Sequence, residues 1–298
     1  MANLLDIRRR IRSVKNTQQI TKAMKMVSAA KLKRAKDRAE AARPFAVKMT
    51  EVLTKLAAYA GEDFQHPLLD RRGDERYLLV LVTADKGLAG AFNANLIKAA
   101  QAFLNEHAGK TVELLAVGRK GRDFYRRRPV TMAGEFVNVT AKGRIEYAEA
   151  AELARDITRR FVEDEAIDKV FIIFNEFKSA LSQRVVVEQL LPVARTEDAG
   201  AGVVAADPSR PVTFVEYIYE QPPAEIFSRL LPRLVETQVY RALLESVASE
   251  QGARMTAMDA ATKNAGELIS NLTLYMNRVR QASITREIIE IVSGASAL

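Results

Sequence analysis

An α/β chain framed by two long helices that pair with each other is the fold class this sequence predicts. Three observations carry it. Residues 3–58 and 222–298 both show a seven-residue apolar repeat, too long for an ordinary globular helix. Between Pro232 and the end there is no further proline, and only Gly252 and Gly266 interrupt residues 233–293. Between the two repeats, about 150 residues alternate strand-like and helix-like stretches.

The first repeat is counted from Leu4 in alternating steps of three and four. It gives Leu4, Ile7, Ile11 and Val14, then four polar positions, Gln18, Thr21, Lys25 and Ser28, and then an apolar series from Leu32 to Leu56. The last repeat runs Leu244, Val247, Gln251, Arg254, Met258, Ala261, Ala265, Leu268, Leu272, Tyr275, Val279, Ala282, Arg286, Ile289, Ser293, Ser296. A period of 3.5 predicts a left-handed coiled coil, and a helix of about 60 residues is roughly 90 Å long. Chain ends of this kind predict an antiparallel pair, a rod with a globular domain on its side. The seams are rich in alanine, so they bury little area per turn and need support from outside. Pro44 lacks an N–H and is expected to kink the first helix or mark a change of direction.

The middle of the chain reads as a mostly parallel, Rossmann-like sheet covered by helices. Strands are expected at 76–83 (RYLLVLVT), 111–118 (TVELLAVG), 169–175 (KVFIIFN), 184–191 and 212–219, and helices at 93–107, 119–128 and 145–161. Residues 199–211, rich in Ala, Gly and Pro, are expected to form an exposed loop. The domains are therefore 1–60, a coiled-coil helix; 61–221, an α/β domain; and 222–298, a second coiled-coil helix.

Composition bounds the function. The chain has 298 residues, no cysteine and no tryptophan, which removes disulfides, thiolate metal sites and thiol chemistry. No stretch approaches twenty apolar residues. The net charge of +8 is uneven: residues 1–60 hold fifteen Lys/Arg and four Asp/Glu. Four acids cannot neutralise fifteen bases by i,i+4 pairing, so this helix calls for an acidic partner: nucleic acid, an anionic membrane or an acidic protein surface. The Arg-rich, acid-poor start has the composition of a transit peptide, but its heptad continues unbroken into the helix and it reads as mature structure.

Catalytic constellations are scarce. The loop Asp85-Lys86-Gly87-Leu88-Ala89-Gly90 follows the first strand, where a dinucleotide fold holds its phosphates, yet it has neither G-x-G-x-x-G nor G-x-x-x-x-G-K-[ST] spacing. It reads as a turn capped by Asp85. His66 and His107 each stand alone, and no G-x-S-x-G is present. No cofactor or metal site is predicted.

Three segments together resemble the γ subunit of F-type ATP synthases: IRSVKNTQQITKAMKMV at 11–27, TADKGLAGAFN at 83–93, and the run from SEQGARM at 249–255 to RQASITREIIEIVSGA at 280–295. The cysteine-bearing insertion of the chloroplast form is absent, and the start directly at the helix looks bacterial. The resemblance implies a non-catalytic central shaft of a proton-translocating enzyme, turning inside a ring of three α and three β subunits. It implies ε and the membrane c-ring as further partners, no nucleic acid, and a peripheral position at the cytoplasmic face of the bacterial inner membrane. It implies contact with β at or near Arg8, Arg9, Met24, Lys25, Arg254, Gln281, Thr285 and Glu287. It also implies an apolar bearing tip of Ile284, Ile288, Ile289, Ile291, Val292 and Leu298. If the N-terminus pairs near Met276, Met24 lies near Arg254, and residues 18–28 face 251–254. Two alternatives stay open at this point: a nucleic-acid-binding coiled coil, based on the basic first helix, and an α/β enzyme that dimerises through its helices.

Overall fold

The computed structural model describes residues 4–60, 64–140, 143–193 and 221–296. The expected strand at 212–219, the loop at 199–211 and Leu298 lie outside the described residues. The elements are α1 (Leu4–Ala60), β1 (Arg76–Val82), α2 (Phe92–Glu106), β2 (Thr111–Val117), α3 (Arg119–Tyr125), β3 (Thr131–Phe136), α4 (Tyr147–Glu163), β4 (Lys169–Phe177), β5 (Gln183–Leu191) and α5 (Pro223–Ser296). The chain divides into two compact units, one of Met1–Ala29 with Arg254–Leu298, the other Ala30–Ala253. Helices α1 and α5 each contribute to both.

In the second unit the sheet order is β3-β2-β1-β4-β5, parallel except for the antiparallel β4–β5 pair. The chain moves outward from β1 to β2 and β3, then returns to the other side of β1 for β4. That reversal puts helices on both faces. β1 shows the consequence in its own sequence. Leu78, Val80 and Val82 face a core with α4 and with the parts of α1 and α5 in this unit, including Leu53, Leu56, Leu153, Ile157, Leu231 and Val239. Tyr77, Leu79 and Leu81 face a second core with Leu96, Ala100 and Phe103 of α2 and Tyr125 of α3. A strand buried on both faces has no reason to alternate, which is why its sequence reads as an unbroken apolar run.

Two sequence expectations are corrected. β3 was not foreseen: Thr131–Phe136 reads TMAGEF, short and interrupted by glycine. Its register against β2 shifts between Leu114 and Leu115, where Gly134 pairs with Leu115. A Cβ on Gly134 would lie 3.1 Å from a Leu115 methyl, so the residue that weakens the strand signal is the one that permits the close approach. Helix α3 stops at Tyr125, not Arg128. Arg128 precedes Pro129 and is pushed out of the helical region, and its N–H closes a turn onto the Tyr125 carbonyl at 3.0 Å. The helical assignment of α1 runs through Pro44 uninterrupted. Pro44 and Glu40 are both exposed, so the turn that lacks the proline N–H lies on the outer side of the helix.

The first unit is an antiparallel helix pair. The eight heptad positions of α1 in this unit, Leu4 to Ser28, are all buried or half-buried, as are the eight that follow them in the second unit. The α5 count holds to Met258 and then shifts. The enclosed positions run Met258, Thr262, Ala265, Ile269, Leu272, Met276, Val279 and Ser283, whereas Leu268 and Tyr275 are exposed. Two four-residue steps in succession, 254–258–262, are a local stutter that unwinds the supercoil and moves the seam by one residue.

Candidate functional site

Two places were candidates for function: the loop after β1, and the helix pair of the first unit.

At the loop after β1, Asp85 is buried, and its carboxylate collects four donors. Arg119 N and Asn138 N reach Oδ1 at 3.1 and 2.9 Å. Thr140 N and Thr140 Oγ1 reach Oδ2 at 3.0 and 2.9 Å. Asp85 N in turn donates to Thr140 Oγ1 at 3.0 Å. The loops that follow β1, β2 and β3 are thus tied together by one carboxylate. Gly118 tightens the same corner: its φ is +91°, and a Cβ there would come within 2.1 Å of the Thr83 carbonyl oxygen. Thr83 Oγ1 accepts from Gly121 N at 2.9 Å. Backbone amides that would cradle a phosphate in a nucleotide fold are here occupied by the chain's own acid. The capped-turn reading of Asp85 is the one the geometry supports.

In the helix pair, the polar break of α1 meets polar partners. Thr21 Oγ1 and Thr262 Oγ1 are 2.8 Å apart. Lys25 Nζ donates to Asp259 Oδ1 at 2.6 Å. Gln18 Nε2 donates to the Thr262 carbonyl at 3.3 Å and would lie 3.1 Å from a Cβ placed on Gly266. The bond from Lys25, with a weaker one from Lys263, holds the Asp259 carboxyl below its ordinary value of 3.8. This register corrects the expected one. With Thr21 opposite Thr262, Met24 stands level with about residue 259. Arg254 is five residues further on, about 7–8 Å along the axis. Residues 18–25 therefore face 259–266, not 251–254.

The expected contact residues separate into two groups. Arg8, Arg9, Gln281, Thr285 and Glu287 are exposed, as are Ile284, Ile288, Ile289, Ile291 and Val292. Arg9 has a loose pair with Asp6 at 3.8 Å. Glu287 accepts from Ser283 Oγ at 3.2 Å. Met24 and Lys25 are half-buried, and Arg254 is 7% exposed. Asp259, Thr262 and Gly266 were missed as partners. A glycine inside a long helix, one turn from a Thr and two from an Asp, was the available signal.

The ATP synthase family model matches residues 3–298. An ATP synthase gamma chain of Solibacter usitatus is 54% identical over 300 residues, covering 100% of this chain and 99% of that one. A gamma chain of Geobacter sp. strain M21 is 49% identical over 300 residues, covering 100% and 99%. The chain belongs to the ATP synthase gamma-chain family. Membership in that family decides among the three open readings. Among solved structures, this gamma-family chain resembles one from the Tetrahymena thermophila mitochondrial ATP synthase central stalk and c-ring, with 28% identity and a TM-score of 0.60, covering 81% of this chain and 99% of that one. A chain of the Euglena gracilis mitochondrial ATP synthase shares the fold at 20% identity and a TM-score of 0.64, covering 99% and 94%. Among the described residues no helix is long and apolar enough to cross a membrane, and no group of His, Cys, Asp or Glu is arranged to hold a metal.

Proposed function

We propose that this chain transmits torque as the non-catalytic shaft of a proton-translocating ATP synthase, with one copy serving three α and three β subunits. Its function is that of its family, the gamma chain of an ATP synthase. The observation that carries the mechanical reading is the coiled-coil unit: a helix pair whose seam is closed by its own residues and whose outer surface stays basic and exposed. Arg8, Arg9, Gln281, Thr285 and Glu287 face outward, and the two arginines carry the charge that meets an acidic lever on β. Exposed basic contacts are worth about 0.2–1 kcal/mol each. Contacts that weak, repeated around a ring, allow a rotor to pass from one subunit to the next without being trapped.

Arg254 and Lys25 enter this reading differently. Lys25 is held by Asp259, and Arg254 is almost enclosed, so both act on β by fixing the helix surface beneath the contact. The exposed isoleucines of 284–291 form the tip that turns in an apolar sleeve. An exposed apolar cluster of this kind is a liability in water and a bearing when surrounded. The α/β unit is the part that holds ε and meets the c-ring, which places the chain peripherally at the cytoplasmic face of the bacterial inner membrane. No nucleotide or nucleic acid binds to the chain itself.

Co-expression with α and β tests the reading. The complex is expected to contain this chain once per three of each, and ATP hydrolysis is expected to turn it. Recovery at equal stoichiometry, or tight nucleotide binding by the isolated chain, would remove the shaft assignment.

A further inference from the structure

We propose that Gln18, Thr21 and Lys25 of α1, with Thr262, Asp259 and Gly266 of α5, form a key that fixes the axial register of the helix pair. The proposal rests on the shaft reading for its purpose, but not for its test.

The flank of the seam nearer the chain ends does not choose a register. Ile7, Ile11 and Val14 stand level with Met276, Leu272 and Ile269 respectively, counted in heptads from Thr21 opposite Thr262. Aliphatic side chains that interdigitate in one register do so almost as well after a slip of one heptad. The polar layer does choose. A one-heptad slip in either direction sets the buried Thr21 hydroxyl against Ile269 or Met255. It also moves Lys25 about 10 Å from Asp259. The same slip carries Gln18 from the open side of Gly266 to the side chain of Thr273 or Asp259. In a slipped register Thr21 keeps its back-bond to the Gln18 carbonyl but loses the Thr262 hydroxyl, and Lys25 loses Asp259, so the native register alone makes all three contacts. The three contacts span two turns of α1, so they resist sliding as a unit. A helix pair that carries torque is pulled along its axis as it winds, and a slip of one helix past the other would release the twist it stores.

The chain has no native cysteine, so engineered pairs report register without interference. Ile7→Cys with Met276→Cys reports the native register, and Ile7→Cys with Ile269→Cys the slipped one. With the key intact, oxidation of the full chain is expected to link the native pair at least about tenfold more than the slipped pair. With Thr21→Leu, Lys25→Leu and Thr262→Leu added, the slipped pair is expected to gain yield at the expense of the native pair. A native-only link in that background would overturn the proposal. Should the triple variant lose helicity by circular dichroism, Thr21→Val with Thr262→Val, which preserves shape, decides in the same way. If the register slips in the key variant yet rotation coupling in the assembled enzyme is unchanged, the shaft reading fails and the key stands.

Discussion

The hydroxyls of Thr21 and Thr262 stand 2.8 Å apart, and each also lies within reach of a carbonyl on its own helix: Gln18 O at 3.0 Å and Met258 O at 2.7 Å. Each hydroxyl has one proton. If Thr21 donates across the seam, Thr262 donates back to Met258; if Thr262 donates across, Thr21 donates back to Gln18. In both arrangements the bond between the helices is kept, and no buried proton is left without an acceptor. The layer therefore joins the helices in either proton arrangement.

The neighbouring ion pair gives this layer a pH limit. Asp259 titrates below its ordinary value of 3.8 because Lys25 donates to its ionised form. A depressed carboxyl contributes stability that is fully present above its unfolded value and is lost as pH falls through the folded one. The helix pair is expected to hold its register at neutral pH and to loosen below about pH 4. The same oxidation of the 7/276 cysteine pair, run down in pH with a thiol-independent oxidant, checks this. Asp259→Asn should weaken the native link already at pH 7 and flatten the acid response.

Asp85→Ala leaves Arg119 N, Asn138 N and Thr140 N without their acceptor in a buried corner. Hydrogen bonds to a charged group contribute about 1.5–3 kcal/mol each, and they are not additive. A loss of at least about 3 kcal/mol is expected in urea unfolding. Asp85→Asn should lose less, because its amide oxygen still accepts.

Gly118 and Gly109 form an internal comparison. A Cβ at Gly118 would overlap the Thr83 carbonyl, and the backbone there is left-handed; at Gly109 nothing lies within 4 Å. Gly118→Ala is expected to abolish soluble expression. Gly109→Ala should shift stability by no more than about 0.5 kcal/mol. Soluble yield and thermal melting of the two variants separate backbone collision from loss of chain freedom.

Arg254→Ala is expected to leave assembly with α and β intact and to reduce ATP synthesis, with a loss on the order of tenfold, equivalent to about 1.4 kcal/mol of positioning. The measurement compares proton-driven synthesis with ATP hydrolysis in membrane vesicles. Unchanged synthesis would take Arg254 out of the coupling path.

Removing residues 288–298 takes away the exposed tip. The melting temperature of the isolated chain should hardly move, since Ile288, Ile289, Ile291 and Val292 are all exposed. In the assembled enzyme, rotation should persist with reduced torque, read by single-molecule observation of a bead on the shaft.

What was legible in the amino-acid order depended on how repetitive its cause was. The α1 heptad extends over sixteen positions, and each falls where counting puts it, because a coiled coil imposes one rule along its whole length. The α5 seam departs from the count at Thr262, where one extra residue in the step is invisible to a fixed period. β1 and β4 were plain because both faces are covered. β3 was hidden because its glycine serves packing against Leu115, a contact distant in sequence. At the site, the polar break of α1 was visible, but its partners were not: pairing two helices requires a register, and the aliphatic flank nearer the chain ends supplies none.

Asp85 has a consequence for how the α/β unit meets changing conditions. The negative charge that closes its sheet end is attached to the backbone, so its local concentration is set by a covalent bond and not by the surroundings. A fold that borrows a phosphate for the same purpose tightens when nucleotide is plentiful and relaxes when it is scarce. This one closes that end of its sheet with its own carboxylate, so the closure does not vary with nucleotide concentration.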